Sequence, residues 1–173
     1  MNSSRFNEWV QTVAAVGVIV GLLLVTYEIR VSNRIGIDQA YAESLSRYSE
    51  VSALFSTVDA ADLFVRAQEG EELSRKEMAR LDHLLNAEIN ALFYDWTLVA
   101  GGTLSIGSEF KDFYGPAIQW YLGSDIGRRK WEIDRKDWDA AFADAIDSAL
   151  AATSKRNVLG ELDYLRGAED SVR

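Results

Sequence analysis

The sequence predicts an all-α fold, an N-terminal transmembrane helix followed by a compact bundle of about four to five amphipathic helices. Three observations carry this. From Val13 to Val25 no side chain is polar. Beyond residue 30, apolar residues recur at intervals of three and four over long stretches, the period of a helix with one buried face. The chain of 173 residues holds a single Pro, and long stretches lack the Asn-Gly or Asp-Gly pairs that close hairpins.

The first element is the apolar run. With Val10, Thr12, Thr26, Tyr27 and Ile29 it reaches about 20 residues, the length a helix needs to cross the hydrocarbon. Trp9 and Tyr27 stand at its ends, where amphipathic rings favour the headgroup layer, and Glu8, Glu28 and Arg30 mark the wet edges. A cleaved signal peptide fits less well: Glu8 offsets Arg5, the run is long, and Val25-Thr-Tyr-Glu-Ile is a poor cleavage site. Residues 1–8 are therefore read as a short N-tail, 9–30 as the anchor, 31–152 as a helical domain and 153–173 as a polar tail or short docking helix. Arg5 and the α-amine precede the anchor and Arg30 and Arg34 follow it, an even count; the short N-tail, easily translocated, and the side-chain charges after the anchor put the expected domain on the cytoplasmic side. Gly17 and Gly21 form a GxxxG spacing that lets a second backbone approach, although glycine is common in membrane helices and the spacing alone does not specify a dimer.

In the domain, Ile37, Tyr41, Ser44, Tyr48, Val51 and Phe55 form one stripe, with Gly36 as an expected kink before them. A short helix from Asp59 to Gln68 follows, capped by Ser56 or Thr57 and stopped by Gly70. Ser74-Arg-Lys-Glu77 fits a capping box and opens a long helix through Met78, Leu81, Leu85, Ile89, Leu92, Trp96 and Val99 to Gly101-Gly102. Ser108 to Gly123 reads as an aromatic helix broken at Gly115-Pro116. Asp125 to Ile133 reads as a fifth helix, and Asp134 is the expected cap of a sixth that carries Trp138, Ala141, Phe142, Ala145, Ile146 and Ala149.

The composition narrows function. A net charge of −9 argues against binding nucleic acid, which needs Lys and Arg to neutralise phosphate. The absence of Cys removes thiolate metal sites and Cys nucleophiles. No glycine-rich phosphate loop is present, and His83, the sole histidine, stands on a polar face without a metal-binding companion. No cofactor, metal or catalytic residue is expected, and Ser108-Glu-Phe-Lys111 is read as a helix start rather than a nucleophile motif.

Glu88 and Asp95, seven apart on the long helix, fall inside its apolar arc and should be buried. A buried carboxylate needs a partner, and Arg47 is the expected one, making the trio a polar cluster that sets helix register. Trp120, Tyr121 and Trp131 are the expected interaction surface, since exposed aromatic patches mark contact sites. Arg128, Arg129 and Lys130 are the candidate contact for anionic lipid, weakened by interleaved acids.

Trp9, the anchor to Gly21-Leu-Leu, Tyr27-Glu-Ile-Arg30, Leu73-Ser-Arg-Lys-Glu77, Glu88, Phe93-Tyr94 and Gly127-Arg-Arg-Lys-Trp131 occur in an order and spacing that resembles a family of uncharacterised bacterial single-pass inner-membrane proteins. The likeness spans roughly residues 9 to 150. The chain departs from that pattern at Tyr27-Glu28, where a Gln is frequent, and in lacking an Asn-Thr after the exit arginine. The resemblance implies a bacterial inner membrane and no activity. The expectation is a non-catalytic, membrane-anchored accessory or interaction protein that meets membrane lipids and a protein partner or a second copy. The alternative is a module that binds lipid or a small hydrophobic ligand at the membrane surface.

Overall fold

The structure, a computed structural model, describes residues 3–152. The expected tail or docking helix at 153–173 lies outside them. Among the described residues every regular element is helical: α1 (Ser3–Phe55), α2 (Val58–Glu69), α3 (Arg75–Ala100), α4 (Phe110–Leu122), α5 (Asp125–Asp134), a 3-10 turn (Arg135–Asp137) and α6 (Ala140–Ala151). The all-α expectation holds, and five helices follow α1. Between Tyr41 and Ala42 the chain divides into two compact units.

The first unit is the N-terminal part of α1. The helix starts at Ser3, so most of the expected N-tail is helical. It contains one stretch long and apolar enough to cross a membrane, none of it buried by protein. Two hydroxyls inside this stretch bond the helix's own backbone: Thr12 Oγ1 donates to Glu8 O at 2.9 Å and Thr26 Oγ1 to Leu22 O at 2.8 Å. Their polarity is satisfied internally, so the apolar run extends through both threonines. At Gly36, where a kink is expected, the helix assignment of α1 continues without interruption. A glycine costs a helix only about 1 kcal/mol relative to alanine, too little to break it unaided.

The second unit begins at Ala42, and its first helices show which local signals act. Ser74 and Glu77 close the capping box: Glu77 Oε2 accepts from Ser74 N at 2.8 Å and Ser74 Oγ from Glu77 N at 3.3 Å. Gly70 ends α2 at φ 76°, and Glu71 N donates back to Arg66 O at 3.0 Å, the paired closure that a left-handed residue permits. Arg66 then ties this corner together, reaching Glu71 at 2.8 Å and Glu77 at 2.7 Å. The Ser74 hydrogen bond first, and Arg66 second, hold the Glu77 carboxyl down at about 2. At the far end of α3 the positive φ belongs to Gly102 alone, while Gly101 stays right-handed.

Three expected boundaries move. α4 starts at Phe110 with Glu109 as its cap residue, not at Ser108, and continues through Pro116. Proline there withholds one amide from the ladder, a local loss that burial of Ile118, Gln119, Tyr121 and Leu122 in the next turn outweighs. The sixth helix is capped by Asp139 rather than Asp134, with Asp139 Oδ1 accepting from Ala141 N at 2.9 Å and Phe142 N at 3.3 Å. Trp138 therefore precedes α6, and Ala141 is exposed rather than packed.

The core gathers Leu85 and Ile89 of α3, Ile118 and Leu122 of α4, and Phe142 and Ile146 of α6, all fully buried. The α4–α5 corner is the tightest point. A Cβ built on Gly127 would lie 2.6 Å from Leu122 Cα and 2.6 Å from Tyr121 O, both backbone atoms that cannot swing aside. Gly127→Ala should therefore force the corner open and cost about 1–3 kcal/mol. The comparison is Gly115→Ala in α4, where a Cβ meets nothing within 4 Å. Urea titration of the full chain in detergent, followed by Trp fluorescence, should show a lower midpoint for the first variant and none for the second; equal midpoints would contradict this packing.

Candidate functional site

Glu88 and Asp95 are both buried, at 3% and 7% exposure. The expected ion pair between Glu88 and Arg47 does not form. Arg47 instead lies over Tyr94, its guanidinium carbon 3.6 Å from the ring centroid, and Tyr94 donates its hydroxyl proton to Glu43 at 2.6 Å. A planar cation finds favourable contact on an aromatic face, and Tyr94, beside Asp95 on α3, offers that face. Glu88 is thus buried without a cation. Desolvation first, and the charge of Asp95 second, push its carboxyl up to about 7. Tyr121 is also raised, by burial first and then by its electrostatic interaction with Glu88. Asp95 Oδ1 and Arg47 Nε are buried with no hydrogen-bond partner among the described residues. The arrangement is a buried polar seam, and neither carboxylate lines the groove described below. No group of three or more His, Asp or Glu among the described residues is placed to hold a metal ion.

The aromatic trio does not form a surface. Tyr121 and Trp131 are core residues at 8% and 3% exposure, and Trp120 is half-buried against the same core. Tyr121 packs on Phe55 at 4.7 Å between centroids, and the indole N–H of Trp131 donates to Asp147 Oδ1 at 2.7 Å. Large rings contribute most when buried with their polar edge satisfied, and Asp147 satisfies this one.

The basic cluster is likewise spent inside the fold. Arg128 donates from Nε to Gly123 O at 2.9 Å and from a terminal nitrogen to Leu150 O at 3.0 Å, covering carbonyls at the ends of α4 and α6. Lys130, 13% exposed at its side chain, meets Asp82 at 2.6 Å and Asp134 at 2.5 Å. Of the three expected lipid contacts only Arg129 is exposed. Gly17 and Gly21 are exposed, with nothing within 4 Å of a built Cβ.

The feature not foreseen from the sequence is a groove of about 1210 Å³. Its walls come from the end of α2, the α2–α3 connection, the first half of α3 and one side of α5. Leu81 and Leu85 line its base, and Met78 and Ile133 stand beside them at 54% and 66% exposure. The corner described above, Gly70 with Arg66 and Glu77, holds the connecting segment that forms one wall. Two signals for it stand in the sequence, the apolar Met78 in the first turn of α3, where the stripe runs beyond the buried residues, and Ile133 near the end of α5, off that helix's buried stripe.

In comparisons with known proteins, the chain matches no family model, no curated protein and no solved structure.

Proposed function

We propose that this chain is a non-catalytic, single-pass membrane-anchored interaction protein of a bacterial inner membrane, and that its binding surface is the groove between α2, α3 and α5. The observation that carries the reading is the pair of large apolar side chains, Met78 and Ile133, exposed together on a concave surface. Grooves between helices with exposed apolar walls suit an amphipathic segment of a protein partner. The domain's cytoplasmic placement rests on Arg30 and Arg34 after the anchor.

The groove's volume also favours a second reading, a site for lipid or a small hydrophobic ligand. Against anionic lipid, Arg128 and Lys130 are committed to internal partners.

A photo-crosslinking residue placed at Ile133, and separately at exposed Ala141 on α6, tests the proposal in native membranes. One adduct of fixed mass at Ile133, absent at Ala141, whose identified partner binds the purified chain and loses binding to the Ile133→Asp variant, supports a protein-binding groove. Equal adducts at both positions, or a lipid carried stoichiometrically in the groove with no protein adduct, overturns it.

A further inference from the structure

We infer that the groove takes a cationic amphipathic helix, an inference that rests on the groove reading above. Its lining carries the carboxylates of Glu69, Glu71, Glu72, Asp82 and Asp125 against two basic residues, Arg129 and Lys130. Internal pairing does not cancel this excess. Lys130 is shared between Asp82 and Asp134, the latter outside the groove, so it offers little charge to an incoming group. Glu71 is held by Arg66 at 2.8 Å, while Glu69 and Glu72 are exposed and belong to no ion pair among the described residues. A ligand that enters therefore meets an apolar base with a negative margin on the α2 side. Lys or Arg flanking an apolar stripe complements it, and a carboxylate or phosphate in that place is repelled.

The backbone of the occupant sets its conformation. Peptide groups that enter an apolar groove must bring their hydrogen bonds with them or find partners there. No strand edge exists among the described residues to pair with an extended segment. A helix satisfies its own backbone and presents residues at three and four apart to the ridges of α3 and α5.

The test uses the full chain in discs of neutral phosphatidylcholine, with empty discs as the blank. Two synthetic helices share one leucine face and differ only in carrying Lys or Glu on the other, and fluorescence anisotropy reports their binding. The Lys helix should bind about tenfold more tightly at low salt, as a few exposed ion pairs allow, and the gap should narrow at high salt. In a Glu69→Gln/Glu72→Gln variant, whose changes are exposed, the preference should shrink several-fold; in Ile133→Asp both helices should lose binding. Equal binding of the two helices, still lost in Ile133→Asp, keeps the groove and overturns the charge inference. A Lys preference unchanged by Glu69→Gln/Glu72→Gln also overturns it, because net charge alone then explains the preference. Binding by neither helix overturns both the inference and the groove reading.

Discussion

Phe142→Ala is expected to cost the helical domain about 3–5 kcal/mol, most of the stability of an ordinary domain. The ring is fully buried and lies within ring-contact distance of five others, with centroids 5.1 Å from Phe93, 5.8 Å from Trp96, 6.5 Å from Phe110, 6.0 Å from Trp131 and 5.5 Å from Trp138. Four of these partners come from outside α6, on α3, α4 and α5, and Trp138 precedes it. Small side-chain shifts from one helix cannot refill a space walled by four elements, so both transfer energy and a cavity are lost. Urea unfolding of the full chain in detergent should show a midpoint well below the parent's, or a domain that no longer unfolds cooperatively. An unchanged midpoint would mean that the six rings do not form the core described.

Glu88→Gln should reshape the dependence of stability on pH. The carboxyl has an ordinary value of 4.5 and is raised to about 7 in the folded chain, chiefly by desolvation. Between these values the folded state holds more protons than the unfolded one. Stability from this group is therefore complete below about 4.5, falls as pH rises, and is gone above about 7. The difference corresponds to roughly 3 kcal/mol at most. Asp95 on the same helix and Tyr121 on α4 are the groups that couple to it, and neither supplies a positive charge. Glutamine, uncharged and nearly isosteric, removes the loss. Chemical denaturation from pH 5 to pH 8 should show the parent falling and the variant nearly flat, with the variant the more stable at pH 8. Parallel curves would show that Glu88 is paired or solvated.

The two expected results draw on different kinds of information, and the contrast explains how far the sequence could be read. Phe142 and Glu88 could be assigned to the interior from helical period alone, because each lies on the apolar arc of its own helix. The Ser74 box and the Gly70 stop were legible for the same reason: donor and acceptor sit within five residues of one another. Partners were harder. Charge and position on the stripe's border pair Arg47 with Glu88, yet its preference for the Tyr94 face depends on side-chain placement between two helices, which spacing does not report. Aromatic residues such as Tyr121 and Trp131 serve cores and interfaces equally, so their type does not separate the two, and Trp131's polar partner, Asp147, is 16 residues away. Asp134 and Asp139 both stand before an apolar helix, and only the intervening 3-10 turn decides that the second is the cap. The groove needed three elements to be placed at once, and no single segment encodes it.

The stretch from Gly127 to Trp131 bears on how kinship with other chains should be judged. Each of four positions there has a separate structural duty: Gly127 admits the backbone of Leu122, Arg128 covers Gly123 and Leu150 carbonyls, Lys130 joins Asp82 to Asp134, and Trp131 fills the core with its indole nitrogen on Asp147. Gly127, Arg128, Lys130 and Trp131 are thus each engaged in holding this helical corner together. A likeness to another chain confined to these four positions would therefore report the build of this corner and not what occupies the groove.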